Sequence, residues 1–105
     1  MRRPSAQALL VMVCVTAFPV SAQPELQALQ RGQPREVARY LERAAGCNHW
    51  AGEEAYDANR KAEIDKAISD LRCTSLERDE KRLHHRYAGA PKILHALKMA
   101  HDLYD

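Results

Sequence analysis

A covalent link between Cys47 and Cys73 would constrain this chain more than any other feature of its sequence. The 105-residue chain has three cysteines, and the third, Cys14, lies in an N-terminal segment that we expect to be removed. The remaining domain, residues 23–105, is of a size that is often marginally stable without a covalent staple. In an oxidising compartment, an even pair of cysteines predicts one disulfide. Two free thiols or two metal ligands are the alternatives.

The N-terminal segment has the three parts of a secretory signal peptide. Arg2 and Arg3 form a charged start, and an almost wholly apolar run follows over residues 8–18. This run is shorter than the roughly 20 apolar residues that span a bilayer, and the small residues before Gln23 match a signal-peptidase site. We therefore predict a signal peptide over residues 1–22, export to the periplasm and no stable membrane insertion after cleavage. A short N-terminal membrane anchor is the alternative.

Removal of this segment leaves a domain of balanced charge. The whole chain has 16 Lys and Arg residues against 14 Asp and Glu residues, a formal net charge of +2. Because Arg2 and Arg3 account for this difference, residues 23–105 are formally neutral. A neutral domain lacks the electrostatic footprint of a nucleic-acid binder. The only basic cluster, residues 81–86, follows several acidic residues and is typical of a solvated helix face, so we expect no nucleic-acid partner.

Apolar residues recur at helical spacing after the signal peptide, without the alternation that is typical of strands. The pattern predicts an all-α fold, a small bundle of about four helices, after a short first turn over residues 25–30. Each main helix has recognisable boundary residues. The four helices are predicted from Pro34 to a stop at Gly46, from an N-cap at Asp57 to Cys73, from a capping box of Thr74 and Glu77 to Gly89, and from Pro91 onwards.

Between the first two main helices the sequence loses its periodicity and gains aromatic and acidic residues. We predict a structured loop over residues 48–57. Its side chains are the expected partner-binding residues: His49, Trp50, Glu53, Glu54, Tyr56 and Asp57. An imidazole near carboxylates could catalyse proton transfer or bind a metal ion, but the segment matches no catalytic motif. The alternative is a packing role, with the rings against the helices and the acids at helix ends or paired with Arg60 and Lys61.

Four further histidines lie on the last two predicted helices. Adjacent His84 and His85 point in different directions on a helix. His95 and His101 are six residues apart, which is not the spacing of one helical turn. The sequence therefore predicts no metal site and no cofactor. It also lacks a nucleophile with an activating pattern, and we expect that the protein is not an enzyme.

The residues Cys47-x-His49-Trp50-x-Gly52-Glu53, with Tyr56-Asp57, Arg60, Ile64 and Cys73, resemble a pattern of small exported proteobacterial proteins. The resemblance covers residues 47–73. Some proteins of this general kind are immunity proteins against toxins that type VI secretion delivers to the periplasm. The resemblance therefore implies an inhibitor, by analogy of size, compartment and architecture, and it assigns no catalytic residue.

Together these features indicate a periplasmic binding protein, most concretely an immunity protein that neutralises a toxic effector enzyme. A rigid surface with an aromatic anchor and a few charges is sufficient for a tight interface and needs no catalytic residues. The alternative is a periplasmic helical domain that binds a metal ion or a small ligand through its histidines.

Overall fold

Residues 23–105, the part of the chain that this computed structural model describes, fold into helices and contain no β-strand. The predicted signal peptide lies outside the described residues. The helices are α1 (Pro24–Gln30), α2 (Arg35–Ala51), α3 (Ala58–Asp70), α4 (Leu76–Arg86) and α5 (Pro91–Tyr104), with a short 3-10 helix (Cys73–Ser75) before α4. The four longer helices confirm the predicted all-α bundle. None of the helices in this region has both the length and the apolar character needed to cross a membrane.

Helix α2 is the centre of the bundle and packs against the other four helices. Its buried face recurs at helical spacing and includes Val37 and Leu41, both fully buried. Leu26 of α1, Leu83 of α4 and Leu97 of α5 meet this face and are at most 1 % exposed. Full burial of one such side chain stabilises a fold by about 1.5–3 kcal/mol. The main core therefore holds α1, α2, α4 and α5 together.

Helix α3 lies outside this main core. Its one buried hydrophobic residue, Ile64, does not belong to the core cluster of the other helices. The disulfide between Cys47 and Cys73, with 5.7 Å between the two Cα atoms, ties the far end of α3 to α2. The predicted disulfide is therefore confirmed, and it attaches a helix whose buried residue lies outside the main core.

Helix α2 continues past Gly46, where we predicted its end. Gly46 is buried in the helix, and a Cβ atom there would lie 3.0 Å from Leu71 Cδ1. Glycine therefore allows α2 and the end of α3 to approach closely. The predicted stop was wrong because a glycine that serves packing and a glycine that ends a helix look alike in sequence. The helix ends at Ala51 instead, with Gly52 as its C-cap.

The connection after α3 is held by Arg43 of α2. Its guanidinium donates hydrogen bonds to the backbone oxygens of Leu71 (2.9 Å) and Arg72 (3.0 Å) and to Asp79 Oδ2 (2.8 Å). These bonds satisfy carbonyl groups that the end of a helix leaves without partners. The Arg43 guanidinium also lowers the pKa of the buried Asp79 carboxyl group. Arg43 thus joins α2, the end of α3 and α4 through one side chain.

The other predicted boundaries have mixed outcomes. Asp57 is the N-cap of α3, and its Oδ1 accepts a hydrogen bond from Arg60 N at 2.7 Å, which confirms that prediction. Helix α3 ends at Asp70, before Cys73, because Arg72 adopts a left-handed conformation (φ 53°). The predicted capping box of Thr74 and Glu77 was wrong. Ser75 precedes α4, and no side chain caps that helix, because the preceding residues form the 3-10 helix.

The last two helix boundaries were predicted more closely. Helix α4 ends at Arg86, three residues before the predicted boundary at Gly89. Pro91 is the first residue of α5, as predicted. The first N–H groups of a helix have no intrahelical partner, so the N–H group that proline lacks costs no hydrogen bond there. The short linker of residues 87–90 lets α4 and α5 pack against each other. This pairing brings side chains of the two helices into contact at the site described below.

Candidate functional site

The structure divides the six predicted partner-binding residues between a helix end and a loop. Helix α2 extends to Ala51, so the predicted loop over residues 48–57 was wrong in its first part, and the irregular stretch covers residues 52–57. We call residues 49–57 the α2–α3 segment. His49 and Trp50 lie in the last turn of α2, Glu53, Glu54 and Tyr56 lie in the irregular stretch, and Asp57 caps α3.

Arg60, in the first turn of α3, contacts residues at both ends of the α2–α3 segment. It donates hydrogen bonds to Glu53 Oε2 and to Glu63 Oε2, both at 2.9 Å. Its guanidinium carbon lies 5.3 Å from the centroid of the Trp50 ring, where the electron-rich face attracts a cation. The hydrogen bonds that Arg60 donates to Glu63 and Glu53 raise its pKa. The pairing of an acid with Arg60, which belonged to the alternative packing role, is present for Glu53.

Glu53 is shared between Arg60 and His49. His49 Nε2 lies 3.4 Å from Glu53 Oε1, and the imidazole meets the Trp50 ring edge to face, with 5.5 Å between the centroids. His49, Trp50, Glu53 and Arg60 therefore contact one another in a closed cluster across the segment. Lys61, the other expected partner of these acids, instead pairs with Asp65 at 2.6 Å.

Tyr56 is the side chain that the segment leaves exposed. It has 76 % of its surface accessible, the largest value among the large hydrophobic residues of the described region, whereas Trp50 is half-buried. Glu54 and Asp57 flank it and are also exposed. Glu54 makes no ion pair with any residue between 23 and 105. The segment therefore presents an exposed aromatic residue with two exposed acidic residues near it in the sequence.

Hydrogen bonds hold the backbone at the two ends of the irregular stretch that contains Tyr56. Gly52 N donates hydrogen bonds to the backbone oxygens of Asn48 and His49, both at 3.2 Å. Asn48 also donates from its side chain to the backbone oxygen of Tyr104 at 3.0 Å, which joins the end of α2 to the end of α5. With the nearby disulfide and the Asp57 cap, these bonds support the segment at its two ends.

The shape of this site favours a large partner. An open groove of about 570 Å³ lies elsewhere, along α2 beside Arg39, Arg43 and Asp79, and none of the six predicted partner-binding residues lines it. Small ligands bind in concave sites that bury most of their surface. An exposed ring on a braced segment has the geometry of an anchor that enters a pocket on another protein.

A second group of polar side chains meets where α4 and α5 pack together. Glu80 Oε1 of α4 lies 3.3 Å from His101 Nδ1 of α5 and 3.6 Å from His84 Nε2, and His101 Nδ1 lies 2.6 Å from Asp105 Oδ2. Behind them, burial and the charges of Glu80 and Asp105 raise the pKa of Tyr40. No pattern in the sequence predicted this group, because Glu80 and His101 lie on different helices and meet only where those helices pack together.

No family model, curated protein or solved structure matches this chain. The function proposed below therefore rests on the chemistry and geometry of the residues themselves.

Proposed function

We propose that this protein is an exported inhibitor, most concretely an immunity protein that binds and neutralises a toxic effector enzyme delivered to the periplasm. The exposed ring of Tyr56 on a braced segment is the observation that carries this proposal. A few large side chains give most of the affinity of an interface, and tyrosine is among the commonest of them. An aromatic ring also buries a large area with few rotatable bonds.

The bracing of the segment supports a role in binding. Association costs free energy when side chains and loops must become ordered, and a surface that is already ordered avoids part of this cost. Helix α2 fixes the start of the α2–α3 segment, the Asp57 cap fixes its end, and Arg60 joins the two.

Of the two aromatic residues among the expected partner-binding residues, Tyr56 fits the role of the anchor better than Trp50. Trp50 lies against the guanidinium of Arg60 and is half-buried, so its ring supports the segment from within. Tyr56 has no such cover. We therefore assign the anchor role to Tyr56, and a supporting role to Trp50 and Glu53.

The charges around Tyr56 indicate the chemistry of the partner. Glu53 is paired with Arg60, so Glu54 and Asp57 give the exposed surface its negative charge. The complementary surface is an apolar pocket with a basic rim. Charges at the rim act mainly on the rate of association and its salt dependence, whereas a central anchor acts mainly on dissociation.

The first experiment deletes the gene and places the strain in contact with siblings that secrete effectors. The deletion strain is expected to lose viability under contact, and the wild-type gene is expected to restore it. The effector is then recovered from periplasm by pull-down, purified and assayed for its enzymatic activity with and without the protein. No loss of fitness in the deletion strain, with no enzyme in the pull-down that the protein inhibits, would show that the proposal is wrong.

The second experiment identifies which residues form the interface. Tyr56→Ala is expected to raise the dissociation rate by at least about 30-fold, which corresponds to the roughly 2 kcal/mol of an interface hot spot. Glu54→Gln is expected to slow association and to weaken its dependence on salt. Leu103→Ala and Glu77→Gln change exposed residues of α5 and α4 and serve as matched controls. If both segment variants inhibit as well as the wild type while folded, the interface lies elsewhere.

A further inference from the structure

Helices α4 and α5 each present a pair of metal-binding side chains one helical turn apart. Glu80 and His84 form such a pair on α4, and His101 and Asp105 form one at the end of α5. Residues four positions apart lie on the same face of a helix. The packing of α4 against α5 turns the two pairs toward each other, so that Glu80 contacts His101 across the interface.

The distances within this group suit a single ion. One ligand atom from each of Glu80, His101 and Asp105 lies within 4.8 Å of the others. In a tetrahedral zinc site with bonds of about 2.0–2.1 Å, neighbouring ligand atoms are about 3.3–3.4 Å apart. Glu80 Oε1 is 3.3 Å from His101 Nδ1 and 3.6 Å from His84 Nε2. The separation of 2.6 Å between His101 Nδ1 and Asp105 Oδ2 must widen when an ion binds between them, and His84 must turn toward the other three side chains.

The charge of the group also suits a dication. It contains two carboxylates and two imidazoles, which together carry a charge of −2 when the histidines are neutral. Within residues 23–105, both ion-pair partners of Glu80 are histidines, and no lysine or arginine lies within 4 Å of its carboxylate. The Glu80 side chain is 17 % exposed, while those of His84, His101 and Asp105 are between 44 and 58 % exposed. An ion can therefore reach the site from solvent.

We propose that Glu80, His101 and Asp105 bind one divalent transition-metal ion of the zinc type, and that His84, whose Nε2 lies 3.6 Å from Glu80 Oε1, turns in as the fourth ligand. Imidazole nitrogen and carboxylate oxygen together select Zn²⁺ and similar ions, whereas Mg²⁺ and Ca²⁺ prefer sites made of oxygen alone. The ion joins α4 to the end of α5. This site is separate from the α2–α3 segment, and the proposal does not depend on the proposed inhibitor function.

The test uses untagged protein from which metal has been removed by a chelator and dialysis. Equilibrium dialysis against Zn²⁺, with metal analysis of the retained protein, measures the number of ions bound and their affinity. One Zn²⁺ per chain is expected, with no comparable binding of Mg²⁺. Zn²⁺ is also expected to raise the melting temperature, because it binds only the folded arrangement of α4 and α5.

Substitutions assign the ligands. His101→Gln is expected to lower the affinity for Zn²⁺ by about 100-fold or more, since even outer-shell partners of a ligand are worth about 10- to 100-fold. Asp105→Asn and Glu80→Gln are expected to lower it as well. The matched controls are His95→Gln and His85→Gln, which change exposed histidines of the same two helices outside the group. Circular dichroism without metal establishes that each variant is folded.

The proposal is overturned if the protein retains no Zn²⁺ at micromolar concentration, because the group is then only a set of neighbouring acidic and histidine side chains. It is equally overturned if His95→Gln weakens binding as much as His101→Gln, because binding is then nonspecific. Should Glu80→Gln fail to fold, His101→Gln and Asp105→Asn decide the outcome, because both of these residues are more than half exposed. None of these results bears on the protection assay of the deletion strain.

Discussion

The guanidinium of Arg60 lies over the indole ring of Trp50, with its central carbon 5.3 Å from the ring centroid. This contact joins the first turn of α3 to the last turn of α2. Glu53 lies between them in sequence and pairs with Arg60 at 2.9 Å. The shape of the α2–α3 segment is therefore set by side-chain contacts across it as well as by the backbone of residues 52–57.

Replacement of Arg60 is expected to loosen the α2–α3 segment. Arg60→Gln removes the cation from Trp50 and the ion pair with Glu53, so the backbone amides of residues 52–57 should exchange faster with solvent. Lys61→Gln is the matched control, since Lys61 pairs only with Asp65 of its own helix. Equal exchange in the Arg60 variant and the wild type would mean that the backbone alone holds the segment.

The contact between Gly46 and Leu71 is expected to determine how Gly46→Ala changes the free energy of unfolding. Alanine at position 46 favours the helix by about 1 kcal/mol, but its Cβ would lie 3.0 Å from Leu71 Cδ1, and overpacking costs about 1–3 kcal/mol. We expect Gly46→Ala to destabilise the protein by about 1 kcal/mol. The measurement is urea unfolding followed by circular dichroism.

A double-mutant cycle isolates this contact. In a Leu71→Ala background the space beside Gly46 is free, so Gly46→Ala is expected to stabilise the protein through its helix propensity. The same sign in both backgrounds would contradict the close approach of Gly46 and Leu71.

Loss of the disulfide is expected to act most strongly on α3. The loop that Cys47 and Cys73 close has a sequence separation of 26 residues, for which chain entropy predicts a loss of about 3 kcal/mol in the free energy of unfolding. Because Ile64 lies outside the main core, the amides of α3 should lose more protection than those of α4 in Cys47→Ala/Cys73→Ala. A uniform loss across both helices would contradict the peripheral attachment of α3.

The pair of Glu36 and Tyr87 is expected to make stability depend on pH. The hydrogen bond from the Tyr87 hydroxyl, with the charges of Arg86 and Arg82, lowers the pKa of Glu36 in the folded protein. A carboxyl group whose pKa is lower in the folded than in the unfolded state stabilises the folded state at pH values above its unfolded pKa. This stabilisation is lost as the pH falls through the pKa of the folded state. Stability from this pair should therefore be complete at pH 7 and decline below about pH 4.5.

Two variants test the contribution of this pair. In urea unfolding experiments, Glu36→Gln and Tyr87→Phe should each reduce the loss of stability that occurs between about pH 5 and about pH 3. The same hydrogen bond raises the pKa of Tyr87, so its contribution is lost again as the pH rises above about 10. If Glu36→Gln has the acid dependence of the wild type, the pair does not stabilise the fold.

The features that sequence could predict are local. Asp57 caps α3 because its side chain reaches an N–H group three residues ahead, and Pro91 begins α5 because of its own ring. The buried faces of α2 and α5 follow the apolar spacing of their residues. These relations lie within one helical turn and need no knowledge of the rest of the fold.

The features that sequence missed depend on how the helices pack. Arg43 meets Asp79 at a separation of 36 residues, and Glu80 meets His101 only because α4 and α5 lie side by side. No local spacing predicts such contacts. The contact that partly covers Trp50 likewise depends on the position of Arg60 on the next helix.

The disulfide determines what happens to the protein after proteolytic cleavage. Cys47 and Cys73 make a covalent ring that contains the exposed stretch around Tyr56 and the whole of α3. Exposed loop tips are preferred sites of proteolytic cleavage. One cut in this stretch would leave both fragments joined through sulfur, so that the nicked protein migrates as one chain until a reductant separates it.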